Sequence, residues 1–266
     1  MKLRVGIVTS FEHGVAAHHL ERLAAEKNPQ FEICGVIRVL HPPRRTTQFW
    51  KRKVKKFLKI GPLGTLNGVR MRPWFTTNVD KLLAIPSVQA ICGKHEIPLA
   101  LVDQLNSAET RLALEKLDLD VAISLGNGFI APSVFTIPKE GMLNIHHEIL
   151  PQFRNAQSVI WQLYHGSSTT GYTIHRIARA IDAGKTLHQE YVPIRFKSRL
   201  SGTITCSIAD VWNASADGLC HLLNDWSAIQ PIETTSSPGH YTTPSLWEFL
   251  SIWRHWKTLS KDSNSR

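Results

Sequence analysis

The sequence predicts an α/β fold of Rossmann-like type, in which helices flank a mostly parallel sheet, for three reasons. Short apolar runs of strand length alternate with segments of helical pattern along most of the chain. Near the start, a β-branched LRVGIVTS, a helical FEHGVAAHHLERLAAEKNP and a second apolar run, FEICGVIRVL, form a βαβ unit. Later runs are short and wholly apolar, as strands buried on both faces are.

The remaining elements continue this alternation. The chain predicts a strand at IPLALV, a helix at NSAETRLALEKL, strands at DVAISL and MLNIH, a helix at SVIWQLYHG, and neighbouring strands at GYTIHRI and TLHQEYVPI. A long amphipathic helix at TITCSIADVWNASADGLCHLLNDW and an apolar tail, YTTPSLWEFLSIWRHWKTLSK, complete it. We therefore expect a main domain over residues 1–200 and a helical C-terminal extension over residues 201–266 that packs on it.

Composition excludes several classes of protein. With 266 residues, 42% of them hydrophobic, the chain can bury a sizeable core. We find neither the ~18 to 20 consecutive apolar residues that a membrane span needs nor a signal-like N-terminus, and so expect a cytoplasmic protein. The four cysteines are far apart, so we predict no disulfide and no metal site. The first turn, TSFEHG, lacks a dinucleotide fingerprint, and NAD is not predicted.

The net charge of +10 is concentrated in one insertion, at about residues 41–75. Between residues 41 and 78 there is no acidic residue, and the basic ones are Arg44, Arg45, Lys51, Arg52, Lys53, Lys55, Lys56, Lys59, Arg70 and Arg72. Trp50, Val54, Phe57 and Leu58 share one face of a predicted helix there. Three interpretations remain open: a lysine-rich helix that docks its apolar face on the domain, a surface for a phosphorylated or membrane-associated acceptor, or non-specific nucleic-acid affinity.

Three polar residues at strand ends or in the following loops point to acid-base chemistry. Asn144 and His146 are two apart on a strand and therefore face the same side, and Asp182 lies in a later loop. An amide that stabilises an oxyanion, an imidazole that moves a proton and a carboxylate that orients it suit acyl transfer. Since no nucleophilic serine or cysteine accompanies them, direct transfer to a bound acceptor fits best.

The segment NIHHEILPQFR, followed by GYTIHRIARAIDAGKTL, resembles the signature of the folate-dependent formyltransferase family. Members of that family carry an Asn-x-His at a strand end, a Leu-Pro and an arginine just after it, and an Asp-x-Gly further on. The resemblance implies the Rossmann-like formyltransferase fold, with Asn144, His146 and Asp182 as the catalytic residues. It covers most of residues 1–40 and 95–200, and departs from the family pattern at Asn155 and Ala183.

The resemblance also implies the ligands. The formyl donor would be 10-formyltetrahydrofolate, bound without a metal along the loop that comprises Leu125, Gly126, Asn127, Gly128, Phe129 and Ile130. For Asn127, a donor contact and a left-handed turn conformation are both open. The expected contacts of a small amine acceptor are His147, Glu148, Pro151 and Arg154. For His147 and Glu148 a hydrogen bond within the loop is also open, and for Arg154 a phosphate contact is favoured over pairing with a carboxylate.

The acceptor is expected to be a nucleotide-linked amino sugar. The members of the family that formylate aminoacyl-tRNA carry an extra β-barrel, and little chain follows Pro193 to form one. Alternatives are aminoacyl-tRNA or glycinamide ribonucleotide as acceptor, and a non-catalytic binding module that uses the basic helix. A homodimer and a peripheral membrane location are further expectations. The order of the tail after Gly239 is left open.

Overall fold

The computed structural model describes residues 1–41, 47–233 and 237–264, apart from the side chains of residues 48, 52 and 264. The predicted basic residues Arg44 and Arg45, and the side chain of Arg52, lie outside what is described.

A seven-stranded sheet forms the centre of the molecule, in the order β3-β2-β1-β4-β5-β6-β7. Its strands are β1 (Leu3–Thr9), β2 (Phe31–Val39), β3 (Leu99–Val102), β4 (Val121–Leu125), β5 (Met142–His146), β6 (Thr169–Arg176) and β7 (Thr186–Pro193). The first five are parallel, whereas β6 and β7 are antiparallel to their neighbours. The predicted α/β fold with a mostly parallel sheet is confirmed.

Helices surround the sheet. They are α1 (Val15–Ala24), α2 (Thr47–Phe75), α3 (Thr77–Leu83), α4 (Val88–Lys94), α5 (Ala108–Leu117), α6 (Pro132–Phe135), α7 (Ile160–Tyr164), α8 (Leu200–Asn224) and α9 (Leu246–Asn264). Among the described helices, none is long and apolar enough to span a membrane. The order of elements matches the alternation in the sequence, with α3, α4 and α6 as short additions that periodicity did not reveal.

The strand order creates a natural ligand site. From β1 the chain proceeds outward to β2 and β3, and then returns to the other side of β1 as β4. Open α/β sheets bind ligands at such a reversal, outside the carboxyl ends of the strands. β1, β4 and β5 are parallel neighbours, so Thr9, Leu125 and His146 end at the same edge.

Helix α8 closes one face of the sheet. Its side chains Val211, Leu219 and Leu223 are fully buried in the core cluster that contains β1 and β4. The approach is close at Gly218, where a Cβ would lie 1.9 Å from the hydroxyl oxygen of Tyr172 on β6. A small residue is therefore required at this crossing of α8 and the sheet.

The basic insertion forms α2, which is kinked at Gly61. The backbone there has a φ of 72°, a value that glycine adopts without strain, and Pro62 then starts the second half of the helix. In that half, a Cβ on Gly68 would lie 2.6 Å from the Thr243 side chain, and one on Gly64 3.1 Å from Ser245. These glycines let the helix pack closely on the chain before α9.

The first half of α2 does not dock as the first interpretation required. Phe57 is 47% exposed and Leu58 75% exposed, and both Trp50 and Val54 are more than half exposed. Burial begins only near the kink, at Ile60, and is complete at Met71 in the second half. The interpretation of an apolar face docked on the domain is therefore wrong for residues 50–58.

Helix α9 packs against α7 and α8. In α9, Ile252 and Trp256 are buried in a core cluster that also contains residues of α7 and α8. The Trp256 indole N–H donates a hydrogen bond of 2.9 Å to Thr203 Oγ1 of α8. Before α9, the backbone at Gly239 and Tyr241 pairs with Arg154, so the tail borders the loop after β5.

Candidate active site

The side chains of Asn144, His146 and Asp182 meet at the carboxyl edge of the sheet. Asn144 and His146 lie on β5, between β4 and β6, and their alternate positions place both on one face. Asp182 comes from the loop between β6 and β7, with one carboxylate oxygen 3.9 Å from Nδ1 of His146. The side chains of His146 and Asp182 are 15% and 11% exposed, so the group is nearly enclosed.

A backbone carbonyl orients the ring of His146. Its Nε2 lies 2.9 Å from the carbonyl oxygen of Phe153, and since that oxygen can only accept, Nε2 carries a hydrogen. Nδ1 is the nitrogen that faces Asp182 and the pocket. The 3.9 Å separation is longer than a hydrogen bond, so Phe153, rather than Asp182, fixes the ring in this state of the protein.

The sequence did not identify a second histidine, His175, as part of this group. On β6 it is the cross-strand partner of Asn144, and its side chain is only 3% exposed. Its Nδ1–H donates to the Arg176 carbonyl at 3.0 Å, which leaves Nε2 to accept from the Asn144 amide at 3.3 Å. Burial lowers the pKa of His175, which favours this neutral form. No local sequence pattern identifies His175, because its pairing with Asn144 joins two different strands.

The conformation of residues 182–184 positions Asp182. Its backbone has a φ of 51°, in the left-handed region, and its second carboxylate oxygen lies 3.9 Å from Nε2 of His175. Gly184 allows this turn to lie against β6, because a Cβ there would be 1.6 Å from the carbonyl oxygen of Arg176. The Asp-x-Gly spacing therefore has a steric cause.

The loop after β4 is held from within. Asn127 donates its amide hydrogens to the Val8 carbonyl at 2.7 Å and to Ser124 Oγ at 3.0 Å, and accepts from Ser10. Its side chain thus ties the loop to the end of β1. The expectation of a left-handed Asn127 is wrong, since Gly126 holds that conformation with a φ of 71°. The backbone of the loop and Phe129 remain available to a ligand.

Two cavities meet at the central group. One, of about 280 Å³, is lined by the loop after β4, by Asn144 and His175, and by residues 177–182. The other, of about 460 Å³, is lined by Asn144, His146, His147 and the segments 155–157 and 242–243. Asn127, Asn144, Asn155 and Asp182 line both. A molecule in either cavity reaches the same amide and carboxylate.

His147 and Glu148 have different positions relative to the second cavity. His147 lines it, with a buried Nε2 that has no hydrogen-bond partner in the described part of the chain. Burial and the neighbouring His19 lower the pKa of His147 well below its usual value. Glu148 is 1% exposed, and its carboxylate accepts hydrogen bonds from the Val159 N–H and Gln162. The expected acceptor contact of Glu148 is therefore wrong, and the alternative expectation, a hydrogen bond within the loop, is what the structure has.

Pro151 and Arg154 lie in the loop that follows β5. Pro151 is buried, and its carbonyl accepts a hydrogen bond from Gly239. Neither residue lines either cavity, whereas the adjacent Asn155 lines both, so the expected contact of Pro151 and Arg154 with the acceptor stays a prediction. Asn155 has a φ of 54° and donates to the Tyr241 carbonyl at 3.0 Å. Asparagine adopts such a left-handed backbone conformation more readily than most other residues.

In the ranges that the structure describes, no three His, Cys, Asp or Glu side chains are grouped so as to hold a metal ion. The central group consists instead of hydrogen-bond donors and proton carriers: the Asn144 amide, the His146 imidazole and the Asp182 carboxylate. With a cavity on either side, such a group suits transfer between two bound molecules. The structure therefore combines an α/β fold with a group of side chains of the kind that acyl transfer uses.

Comparison with known proteins shows a similarity to formyltransferases. Residues 93–211 match the family model described as Formyl transferase. Methionyl-tRNA formyltransferase of Sphingopyxis alaskensis is 34% identical over 153 residues, which cover 57% of this chain and 48% of that protein. The chain is thus similar to formyltransferases over this part of its length, and it spans about half the length of the curated relatives that it matches.

Solved structures share the fold. A sugar N-formyltransferase from Shewanella sp FDAARGOS_354 aligns with a TM-score of 0.56 and 12% identity, over 95% of this chain and 87% of that one. WlaRD, a sugar 3N-formyl transferase determined with dTDP and 5-N-formyl-THF, aligns with a TM-score of 0.55 and 13% identity, over 96% and 80% of the two chains. At such identities the similarity establishes the architecture alone.

Proposed function

We propose that this protein is an N-formyltransferase that moves a formyl group from 10-formyltetrahydrofolate to the primary amine of a small acceptor, a nucleotide-linked amino sugar. The observation that carries the proposal is the pair of cavities that share Asn144 and Asp182. A transfer reaction needs two ligands whose reacting atoms meet beside the catalytic groups. This arrangement supplies that geometry without a covalent intermediate on the protein.

The smaller cavity suits the folate donor. Its rim carries two apolar side chains, Phe129 at 60% and Ile181 at 70% exposure, which suit the faces of a flat heteroaromatic ring. Its floor is polar, with Ser124 and the backbone of the loop after β4. A Cβ on Gly128 would meet no protein atom within 4 Å, so the backbone there is open to close approach by a ligand.

The side chains of the central group divide the chemistry. When bound, the donor supplies a formyl carbon whose bond to the folate nitrogen breaks as the new bond to the amine forms. Asn144 has a second amide hydrogen beside the one directed at His175, and doubly protonated His146 can donate from Nδ1 while Nε2 remains on Phe153. Both donors stabilise the negative charge that develops on the formyl oxygen.

Asp182 manages the proton. The amine must lose one proton as it becomes an amide, and the leaving folate nitrogen must gain one. The Asp182 carboxylate lines both cavities, so it can accept the proton on the acceptor side and, through water, return it on the donor side. The proton count balances without an external base.

Calorimetric titration with 5-formyltetrahydrofolate, a stable analogue of the donor, tests the proposal. Phe129→Ala removes the exposed ring at the rim and leaves the hydrogen bonds of Asn127 intact, so we expect at least tenfold weaker binding. Leu112→Ala is the matched control, because Leu112 on α5 is 65% exposed and lines neither cavity. Absence of saturable binding to the wild type would disprove the assignment of the donor.

The acceptor is tested by competition among amines. The second cavity holds about 460 Å³, which fits a sugar better than a macromolecule. The relatives that are methionyl-tRNA formyltransferases favour aminoacyl-tRNA as the alternative. Assays of formyl transfer to dTDP- and UDP-linked amino sugars, glycinamide ribonucleotide and methionyl-tRNA should yield product with an amino sugar. If methionyl-tRNA were the only acceptor to yield product, the assignment of an amino sugar as acceptor would be wrong.

The exposed half of α2 supports a peripheral membrane location. Val54 and Leu58 project apolar groups from a segment that has lysines and no acidic residue, a combination that suits an anionic lipid surface. The protein should co-sediment with anionic phosphatidylglycerol vesicles, and little of it should co-sediment with neutral phosphatidylcholine vesicles. Leu58→Ser should reduce the amount that co-sediments with phosphatidylglycerol. Equal recovery with both lipids would contradict an electrostatic contribution.

A further inference from the structure

A groove of about 480 Å³ runs along α2, beside the acceptor cavity. The two halves of the helix, folded on each other at Gly61, form most of its walls. Its lining residues are Trp50, Lys53, Val54, Lys56, Phe57, Ile60, Thr65, Gly68, Val69, Arg72, Gln157 and Thr243. It thus combines an apolar wall with three cationic side chains, and we call it the α2 groove.

The three cations are Lys53, Lys56 and Arg72. Lys53 and Lys56 are three residues apart on the first half of the helix, and Arg72 comes from the second half. Within the described ranges none of them has a carboxylate at ion-pair distance, whereas cations elsewhere, such as Arg4 and Arg195, do. Partial burial, followed by the nearby charges of Lys53 and Arg72, lowers the pKa of Lys56. The fold brings like charges together and leaves them uncompensated.

The α2 groove is continuous with the acceptor cavity. Lys56, Gln157 and Thr243 line both spaces. An acceptor whose amine lies beside Asn144 can therefore extend past Lys56 into the groove. The other lysines of the helix, Lys51, Lys55 and Lys59, do not line the groove, so the three inward cations are distinct from the general charge of the insertion.

We infer that Lys53, Lys56 and Arg72 form a binding site for the phosphate or diphosphate ester of the acceptor, with Trp50, Val54 and Phe57 contacting the group attached beyond it. The inference rests on the proposed function, since it identifies the acceptor as a phosphorylated amine. Arg72 matches phosphate geometry and the lysines add point charges. The attached group is either a nucleobase stacked on the aromatic side chains or an alkyl chain on the same wall.

Calorimetry with dTDP and with dodecyl phosphate below its micellar concentration tests this site and distinguishes the two sources. The groove variant is the double substitution Lys56→Ala with Arg72→Ala. Its control, Lys55→Ala with Lys59→Ala, removes the same charge from the same helix outside the groove. We expect the wild type to bind one of the two probes saturably, the groove variant to bind at least tenfold more weakly, and the control within twofold of the wild type.

Each outcome decides something. Binding of dTDP identifies a nucleotide acceptor, and preferential binding of dodecyl phosphate a lipid-linked one. No saturable binding of either probe, or an equal loss in groove variant and control, overturns the site in favour of diffuse charge attraction. The single variant Lys56→Arg keeps both positive charges, and it should bind the probe nearly as well as the wild type does if the charge of the groove is responsible for binding.

A parallel titration with 5-formyltetrahydrofolate separates this inference from the proposed function. The groove variant should bind the folate as the wild type does, because the α2 groove and the donor cavity share no lining residue. If the wild type binds folate but the groove variant and its control bind the phosphate probes equally well, the phosphate site alone is overturned. A wild type that binds dTDP and no folate would reject the formyl donor and retain the phosphate site.

Discussion

Substitution of Gly184→Ala should disable the proposed catalysis while leaving the fold intact. A Cβ at this position would lie 1.6 Å from the Arg176 carbonyl oxygen, whereas ordinary contacts begin at 3.4 Å. The turn or the carbonyl must therefore retreat by about 1.8 Å. The turn carries Asp182, and the Arg176 carbonyl accepts the hydrogen bond that orients His175 and, through it, Asn144.

The size of the effect follows from this displacement. Misplacement of a catalytic group by about 1 Å can cost on the order of 100-fold in rate, so a shift of this size should lower kcat for formyl transfer at least 100-fold. Steady-state rates with the acceptor that the competition assay identifies measure this effect, and thermal unfolding measures the stability of the variant. Because the clash lies in a half-buried turn at the end of β6 and outside the apolar core, we expect the free energy of unfolding to fall by no more than about 2 kcal/mol.

Gly93→Ala is the matched control for Gly184→Ala. Gly93 lies in α4, and a Cβ there would meet no atom within 4 Å, so the same added methyl group should cost nothing in kcat and should stabilise the helix slightly. If Gly184→Ala kept kcat within threefold of the wild type, the argument that this glycine positions Asp182 and His175 would be refuted. A protein that failed to fold would show the same contact to be structural instead.

Three further predictions test other parts of the structure. Asn144→Ala should lower kcat by ~100- to 1000-fold, the loss of one oxyanion donor, with folate affinity within a few fold in calorimetry; near-normal turnover would contradict its role. Trp256→Phe removes the hydrogen bond to Thr203 and should cost about 1 kcal/mol or more in chemical denaturation; an unchanged midpoint would place the anchor of α9 elsewhere. Burial lowers the pKa of His19 to about 3 in the folded protein, so the unfolded protein binds a proton at this residue at a higher pH than the folded one does. The free energy of unfolding should therefore fall as the pH drops from 6.5 towards 3. In pH-dependent melting, His19→Gln should make this fall less steep, and an unchanged slope would contradict the assignment.

Periodicity predicted the central sheet because each strand is an apolar run that must be buried on both faces. It could not predict α3, α4 and α6, since helices of four to seven residues present too few positions to show a repeat. It also indicated correctly that α2 has an apolar face. The interpretation that this face docks on the domain is wrong for residues 50–58, whose apolar side chains are exposed. An amphipathic pattern identifies which side chains share a face, and only tertiary structure determines whether another element covers that face.

The site was predictable where chemistry and spacing coincide in one segment. Asn144 and His146 share a strand face, and this follows from a spacing of two. His175 and the lining residue Thr243 come from distant parts of the chain and carry no local signal. Two roles stayed open for Glu148 because sequence does not distinguish a carboxylate that enters a cavity from one that accepts a backbone N–H inside the loop.

The kink at Gly61 explains how a basic insertion can be part of the site. A straight helix of this composition would spread its lysines around a cylinder, with neither a concave surface nor a fixed distance between them. Reversal at Gly61 and Pro62, and the close packing of Gly68 on Thr243, bring Arg72 opposite Lys53 and Lys56 and set the resulting groove beside the acceptor cavity. Gly61→Ala, which introduces a side chain at a φ of 72° without any clash, should therefore weaken binding of the phosphate probe and leave folate binding unchanged. Equal affinity of this variant and the wild type for the probe would mean that the groove does not depend on the kink.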